Sequence, residues 1–297
     1  MKTKCIHVRT CLAWAAVALL ACRVLPTAAT CADTPVVITS ELKGSWMTPY
    51  SGWDGRTVII LHGFADDMDG AGDLTKHFAE DLAIHGIASL RINFRGEGDR
   101  KRTDIESTFL TRIEDTESAY AFAVKQPGVL PENLGVLGWS LGAATEIEIL
   151  GRHPGWFRTG AVWSSPAGDL EKTMMAMAGA QQAMKDGVTT QDAGWKKITT
   201  HRAFYESFHG IDLDRSLSKY PGAFLSIHGS LDFLPDPSQE LIKAAAGQPA
   251  EAVTIGGADH IFNVFDGPKG HSARLMEMTL DWFVSTIGKP KKPGDSD

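Results

Sequence analysis

Cysteine is missing from residue 32 onward; the chain's four, Cys5, Cys11, Cys22 and Cys31, all come earlier. The body of the chain therefore folds without disulfides, and a core of this size needs none. Positive charge is also scarce. The 29 Lys+Arg face 36 Asp+Glu for a net charge of -7, with no basic cluster outside the two ends. That balance argues against a nucleic-acid partner. The apolar run Leu12–Ala21 is only ten residues long, too short to span a bilayer. With 43% hydrophobic and 22% charged residues, disorder, collagen and coiled coil fail as descriptions of the whole. There is no internal repeat.

The first 32 residues read as a secretory signal. Lys2, Lys4 and Arg9 precede the apolar run, and small residues follow through Thr27-Ala-Ala-Thr-Cys-Ala32. Cleavage is expected after Ala29 or Ala32, giving an exported protein, periplasmic or secreted. Leu19-Leu-Ala-Cys22 is a loose lipobox, and a lipid on Cys22 is the alternative. Lys2, Lys4, Arg9 and Arg23 are the segment's only charges, so the remainder carries 25 basic and 36 acidic residues, net -11.

Beyond it, short apolar runs alternate with helix-length stretches. Val36–Ile38 opens the domain. Thr57–Leu61, Ile87–Phe94, Leu134–Leu137, Gly160–Trp163, Ala223–Ile227 and Ala252–Ile255 each end near a glycine or polar turn. Runs of this kind, apolar without strict alternation, read as buried parallel strands. Residues 71–85, 109–125, 141–152, 238–246 and 272–287 read as helices. The pattern predicts a doubly wound, mostly parallel α/β sheet over residues 33–288. Residues 167–219 break the rhythm, and their methionines and aromatics suggest a helical lid over the sheet. The polar tail 289–297 is expected to be disordered.

Gly138-Trp-Ser-Leu-Gly142 matches G-x-S-x-G between a strand and a helix, the setting of a nucleophile elbow. A serine hydroxyl needs a base, and the base an orienting acid. His260 directly follows the last strand, and Asp232 follows the strand ending at His228-Gly229. Asp259 and Asp236 are the competing acids; Asp236 reads better as a helix cap. An oxyanion hole requires two N–H donors. The backbone of Leu141 and that of Phe64, in the loop after Thr57–Leu61, stand where they are needed.

These motifs resemble the α/β-hydrolase superfamily across residues 36–288. They are His62-Gly-Phe64, Asn93-Phe-Arg-Gly-Glu-Gly98, Gly138-Trp-Ser-Leu-Gly142, His228-Gly-Ser-Leu-Asp232 and Gly257-Ala-Asp-His260-Ile-Phe262. Within it, the chain looks most like the cinnamoyl (feruloyl) esterase and serine-aminopeptidase-like branch. Trp139 and Glu97 each stand where many members carry His. The resemblance implies an α/β-hydrolase fold and a triad of Ser140, His260 and Asp232.

The expected activity is hydrolysis of a small-molecule carboxylic ester through an acyl-enzyme, with no metal or organic cofactor required. A peptidase or thioesterase with the same triad, or a silent binding protein on this fold, are the alternatives. Asp66-Asp-Met-Asp-Gly70 lacks the further ligands of a calcium loop and reads as a helix-start cap. Met174, Met177 and Phe208 are expected to line an acyl pocket; the competing reading is plain helix packing.

Overall fold

The computed structural model describes residues 32–49 and 51–288. Residues 1–31, all but the last residue of the expected signal segment, and the tail from 289 lie outside the described residues. Strands β1 (Ala32–Val37), β2 (Lys43–Thr48), β3 (Thr57–Leu61) and β4 (Ala88–Asn93) open the domain, with α1 (Leu74–Ile84) between the last two. A short β5 (Asp104–Ile105) precedes α2 (Phe109–Ala123). Then come β6 (Leu134–Trp139), α3 (Leu141–Arg152) and β7 (Thr159–Trp163). The next stretch holds α4 (Leu170–Met175), α5 (Ala180–Asp186), β8 (Val188–Asp192), β9 (Lys197–His201), α6 (Arg202–Glu206) and α7 (Leu213–Leu217). Finally β10 (Ala223–Gly229), α8 (Ser238–Ala244), β11 (Ala250–Ile255) and α9 (Ser272–Thr286) complete the chain's elements.

The main sheet has eight strands in the order β1-β2-β4-β3-β6-β7-β10-β11. Only β2 runs against the rest. Strand β3 shows why the apolar runs do not alternate: Val58 and Ile60 pack against Phe78 and Leu82 of α1, Ile59 and Leu61 on the other face. Both faces are covered, so both sets of side chains are apolar. Helices α2 and α3 share one core with Ile59 and Leu61; α1 and α9 share the other.

The segment from 167 to 219 is not purely helical. Strands β8 and β9 form an antiparallel hairpin, and β9 also pairs with β5 to make a second, three-stranded sheet. The signal was local: β-branched residues in Val188-Thr-Thr190 and Ile198-Thr-Thr200 flank a turn in which Gly194 takes φ 86°. Thr189, Ile198 and Thr200 are buried on its inner face. Strand β2 lies outside the expected runs, because Lys43-Gly-Ser-Trp-Met-Thr48 has no apolar run.

Candidate active site

Ser140 follows β6 directly and has φ 56° and ψ -119°. That region costs a non-glycine residue about 1–3 kcal/mol and persists only where its surroundings enforce it. Here they do. A Cβ on Gly138 would come within 2.4 Å of the Gly142 carbonyl oxygen, and one on Gly142 within 2.2 Å of that of Leu61. The flanking glycines let the elbow turn against its neighbours. The Ser140 N–H is held by the Trp163 carbonyl at 2.8 Å.

Three strand ends converge on this turn. Nε2 of His260, in the loop after β11, lies 2.9 Å from Ser140 Oγ. Its Nδ1 lies 2.8 and 2.9 Å from the two carboxylate oxygens of Asp232, after β10. The network assigns the proton to Nδ1 and leaves Nε2 to accept from the serine. Burial alone would raise the Asp232 carboxyl's pKa. The hydrogen bond and charge of His260 and the Leu234 N–H outweigh it and hold the pKa below the usual range. The other acids are engaged elsewhere: Asp259 accepts from the N–H groups of Ile261 and Asn263, Asp236 from Ser238 N–H and Thr254. The His260 main chain is pinned as well, its carbonyl accepting from the Trp139 indole at 3.2 Å and Ser164 Oγ at 3.1 Å.

On the other side of Ser140 stands the loop after β3. A Cβ on Gly63 would lie 3.4 Å from Ser140 Cβ, so the backbone entering Phe64 runs beside Ser140. Leu141 is the first residue of α3, where an N–H has no partner within the helix. Both expected donors therefore border Ser140.

A buried network that sequence reasoning missed holds this loop. Glu97 accepts from the Ala65 N–H at 2.8 Å and from Ser107 Oγ at 2.9 Å. It also pairs with Arg112, and both side chains are fully buried. Arg112 donates to the His62 carbonyl at 2.6 Å and lies 3.7 Å over the Phe94 ring. His62 Nδ1 lies 2.7 Å from the Gly63 carbonyl, and its Nε2 accepts from the Phe94 N–H at 3.2 Å. Burial lowers the His62 pKa to about 4 and keeps the ring neutral. Finding Glu97 between two glycines was the one signal; its partner Arg112 left none.

The expected acyl-pocket residues fare differently. Phe208 is fully buried, packed on Phe109 and Phe204, so it fills a core and presents no surface. Met174 is buried in that core, while Met177 is exposed two residues past α4. The insertion does reach the loop after β3 through Phe204, whose ring is 5.0 Å from that of Phe64. The Asp66–Gly70 cluster is no helix cap either: α1 has no side-chain cap, and the carboxylates pair with Arg100 and Arg91. Among the described residues no group of side chains suits a metal ion. A cleft of about 950 Å³ lined by Arg158, Ala223 and Trp282 opens at the opposite, N-terminal edge of β7 and β10.

Comparison with known proteins agrees with the fold. Residues 55–191 match the family model described as serine aminopeptidase, S33. The chain is 25% identical over 236 residues to the uncharacterized protein YfhR of Salmonella typhimurium, covering 77% of this chain and 71% of that one. Est1E from Butyrivibrio proteoclasticus superposes with a TM-score of 0.65 at 16% identity, covering 83% of this chain and 94% of Est1E. A puromycin-hydrolyzing peptidase of Mycobacterium tuberculosis gives 0.65 at 16% identity over 88% of this chain and 40% of its own. With an eight-stranded, mostly parallel sheet of this order and a strand-turn-helix elbow at its centre, the chain has the α/β-hydrolase fold.

Proposed function

We propose that this protein is an exported serine hydrolase that cleaves carboxylic esters. The observation that carries the reading is the unbroken line of hydrogen bonds from Asp232 through His260 to Ser140 Oγ at a strained elbow. Ser140 Oγ attacks the ester carbonyl while His260 Nε2 takes its proton. Asp232 holds the imidazole in the required tautomer and stabilises the imidazolium. The N–H groups of Phe64 and Leu141 receive the developing oxyanion. The imidazolium then protonates the departing alcohol, and water releases the acyl group by the same steps in reverse order. Every proton and charge in this scheme is handled by the chain's own residues.

The S33 match favours a second reading, an aminopeptidase. Such an enzyme needs a carboxylate facing the substrate ammonium. Asp66, Asp67 and Asp259, the acids nearest in sequence to the site loops, are already bonded to Arg100 or to backbone N–H groups. Esters make no such demand. The test is fluorophosphonate labelling of wild type and Ser140→Ala, followed by aryl esters, hydroxycinnamate esters and aminoacyl anilides. Labelling that needs Ser140, with esters turned over faster than anilides, is expected. Faster anilide turnover would select the peptidase, and an unlabelled wild type would leave a binding protein.

Export rests on residues 1–32. Among the described residues no helix is long and apolar enough to cross a membrane. Asp33 pairs with the buried Arg91 guanidinium at 2.5 Å, so cleavage after Ala32 keeps a useful first residue. N-terminal sequencing of the exported protein should give Thr30 or Asp33; a lipid-modified Cys22 would overturn the soluble form.

A further inference from the structure

Asp232 is fully buried, yet its two neighbours point into solvent. Leu231 and Phe233 are each 69% exposed, among the most exposed large apolar side chains described. The Phe233 ring lies over the imidazole of His260, with centroids 4.3 Å apart and planes inclined at 43°. Apolar surface left bare beside a reactive group marks a place where something docks.

The sheet order says what docks there. Ser140 follows β6; the oxyanion loop follows β3 on one side, while Asp232 and His260 follow β10 and β11 on the other. A substrate carbonyl oxygen held by Phe64 and Leu141 therefore points toward β3. As the tetrahedral intermediate collapses, the bond from carbon to the alcohol oxygen breaks and the Nε2 proton passes to that oxygen. The alcohol oxygen must then come within about 3 Å of Nε2. The carbon skeleton attached to it leaves over the rim beside the imidazole, where Phe233 lies.

Resting on the esterase reading, we propose that Phe233, with Leu231, forms the subsite for the leaving alcohol, and that the preferred substrates are esters of apolar, aryl or longer alkyl, alcohols. The offset ring supplies a flat face for an aromatic or methylene chain. Water displaced from it also leaves the departing oxygen better shielded. The simpler role, a cover that keeps water from the His260–Asp232 pair, would affect all substrates alike.

The experiment uses two series on wild type, Phe233→Ala and Phe233→Trp. One holds the acyl group fixed: methyl, butyl and benzyl acetate. The other holds the alcohol fixed: methyl acetate, butyrate and hexanoate. In wild type kcat/KM should rise roughly tenfold from methyl to benzyl acetate. Phe233→Ala should flatten that rise to about twofold while the acyl ranking stays the same, and Phe233→Trp should keep it. Because Phe233 is largely exposed, melting temperature should not move. A labelled wild type with a flat alcohol series, an unchanged rise in Phe233→Ala, or an equal loss on every ester would overturn the subsite. A wild type that resists fluorophosphonate would instead overturn the esterase reading beneath it.

Discussion

Lys196, at the turn of the β8–β9 hairpin, donates to the carbonyl oxygen of Ala65 at 2.6 Å, one residue past Phe64, the proposed oxyanion donor. The same ammonium donates to the carbonyls of Arg102 at 2.9 Å and Arg100 at 3.2 Å. All three donors of a lysine are thus spent on main-chain oxygens. Ala65 is gripped from both ends, since its N–H reaches Glu97.

Removing that grip should loosen the oxyanion loop without touching the triad. Lys196→Met is expected to lower kcat on a simple ester by roughly tenfold, short of the 10²–10³ that loss of an oxyanion donor itself costs. KM should change little, because the oxyanion exists only in the transition state. The hairpin should also become more open to protease near Ala193-Gly-Trp195. An unchanged kcat would show that the loop holds its shape without the lysine.

The Glu97–Arg112 pair gives a sharper energetic test. Glu97→Gln or Arg112→Met alone leaves an uncompensated buried partner and should cost about 3–5 kcal/mol in urea unfolding. The double variant should recover much of that loss, because neither charge is then stranded. It should not recover kcat, since the His62 carbonyl still lacks the donor that Arg112 supplied. Additive losses in stability would mean that the two residues act separately.

What the sequence disclosed was local. The elbow could be read because strand, G-x-S-x-G and helix are contiguous, and His260 and Asp232 because each follows an apolar run. The devices that shape the site are not contiguous. Arg112 meets a carbonyl 50 residues away and Lys196 one 131 residues away, and no spacing announces either. Composition misled in the insertion for a related reason: methionine and phenylalanine content does not say which way a helix faces, and Phe208 faces the core.

The assignment of the acid separates two aspartates four residues apart. Asp232→Asn should lower kcat by about 10⁴, as the wrong tautomer of His260 is then favoured. Asp236→Asn should leave kcat nearly unchanged and loosen only the start of α8, where it accepts from the Ser238 N–H. Steady-state kinetics on one ester decides it, and the reverse ranking would reassign the acid.

Two buried groups, His62 and Glu146, should set opposite limits on stability against pH. The folded pKa of His62 falls to about 4 from 6.5, so between these values the unfolded chain binds more protons. Stability is then full above 6.5 and is lost as pH falls through this window, by about 3 kcal/mol at most. Glu146 on α3 behaves the other way. Burial pushes its carboxyl well above the usual range, against the pull of the Gly138 and Ala161 N–H groups. The folded chain then binds more protons, and stability falls as pH rises above 4.5, the ordinary value. Glu146→Gln should therefore raise the melting temperature at neutral and alkaline pH, with no gain at pH 4. His62→Asn should flatten the acid limb and leave the alkaline one unchanged. Thermal melts from pH 4 to 9 on both variants test the pair, and a Glu146→Gln gain confined to acid pH would show that this carboxyl is ionised in the folded protein.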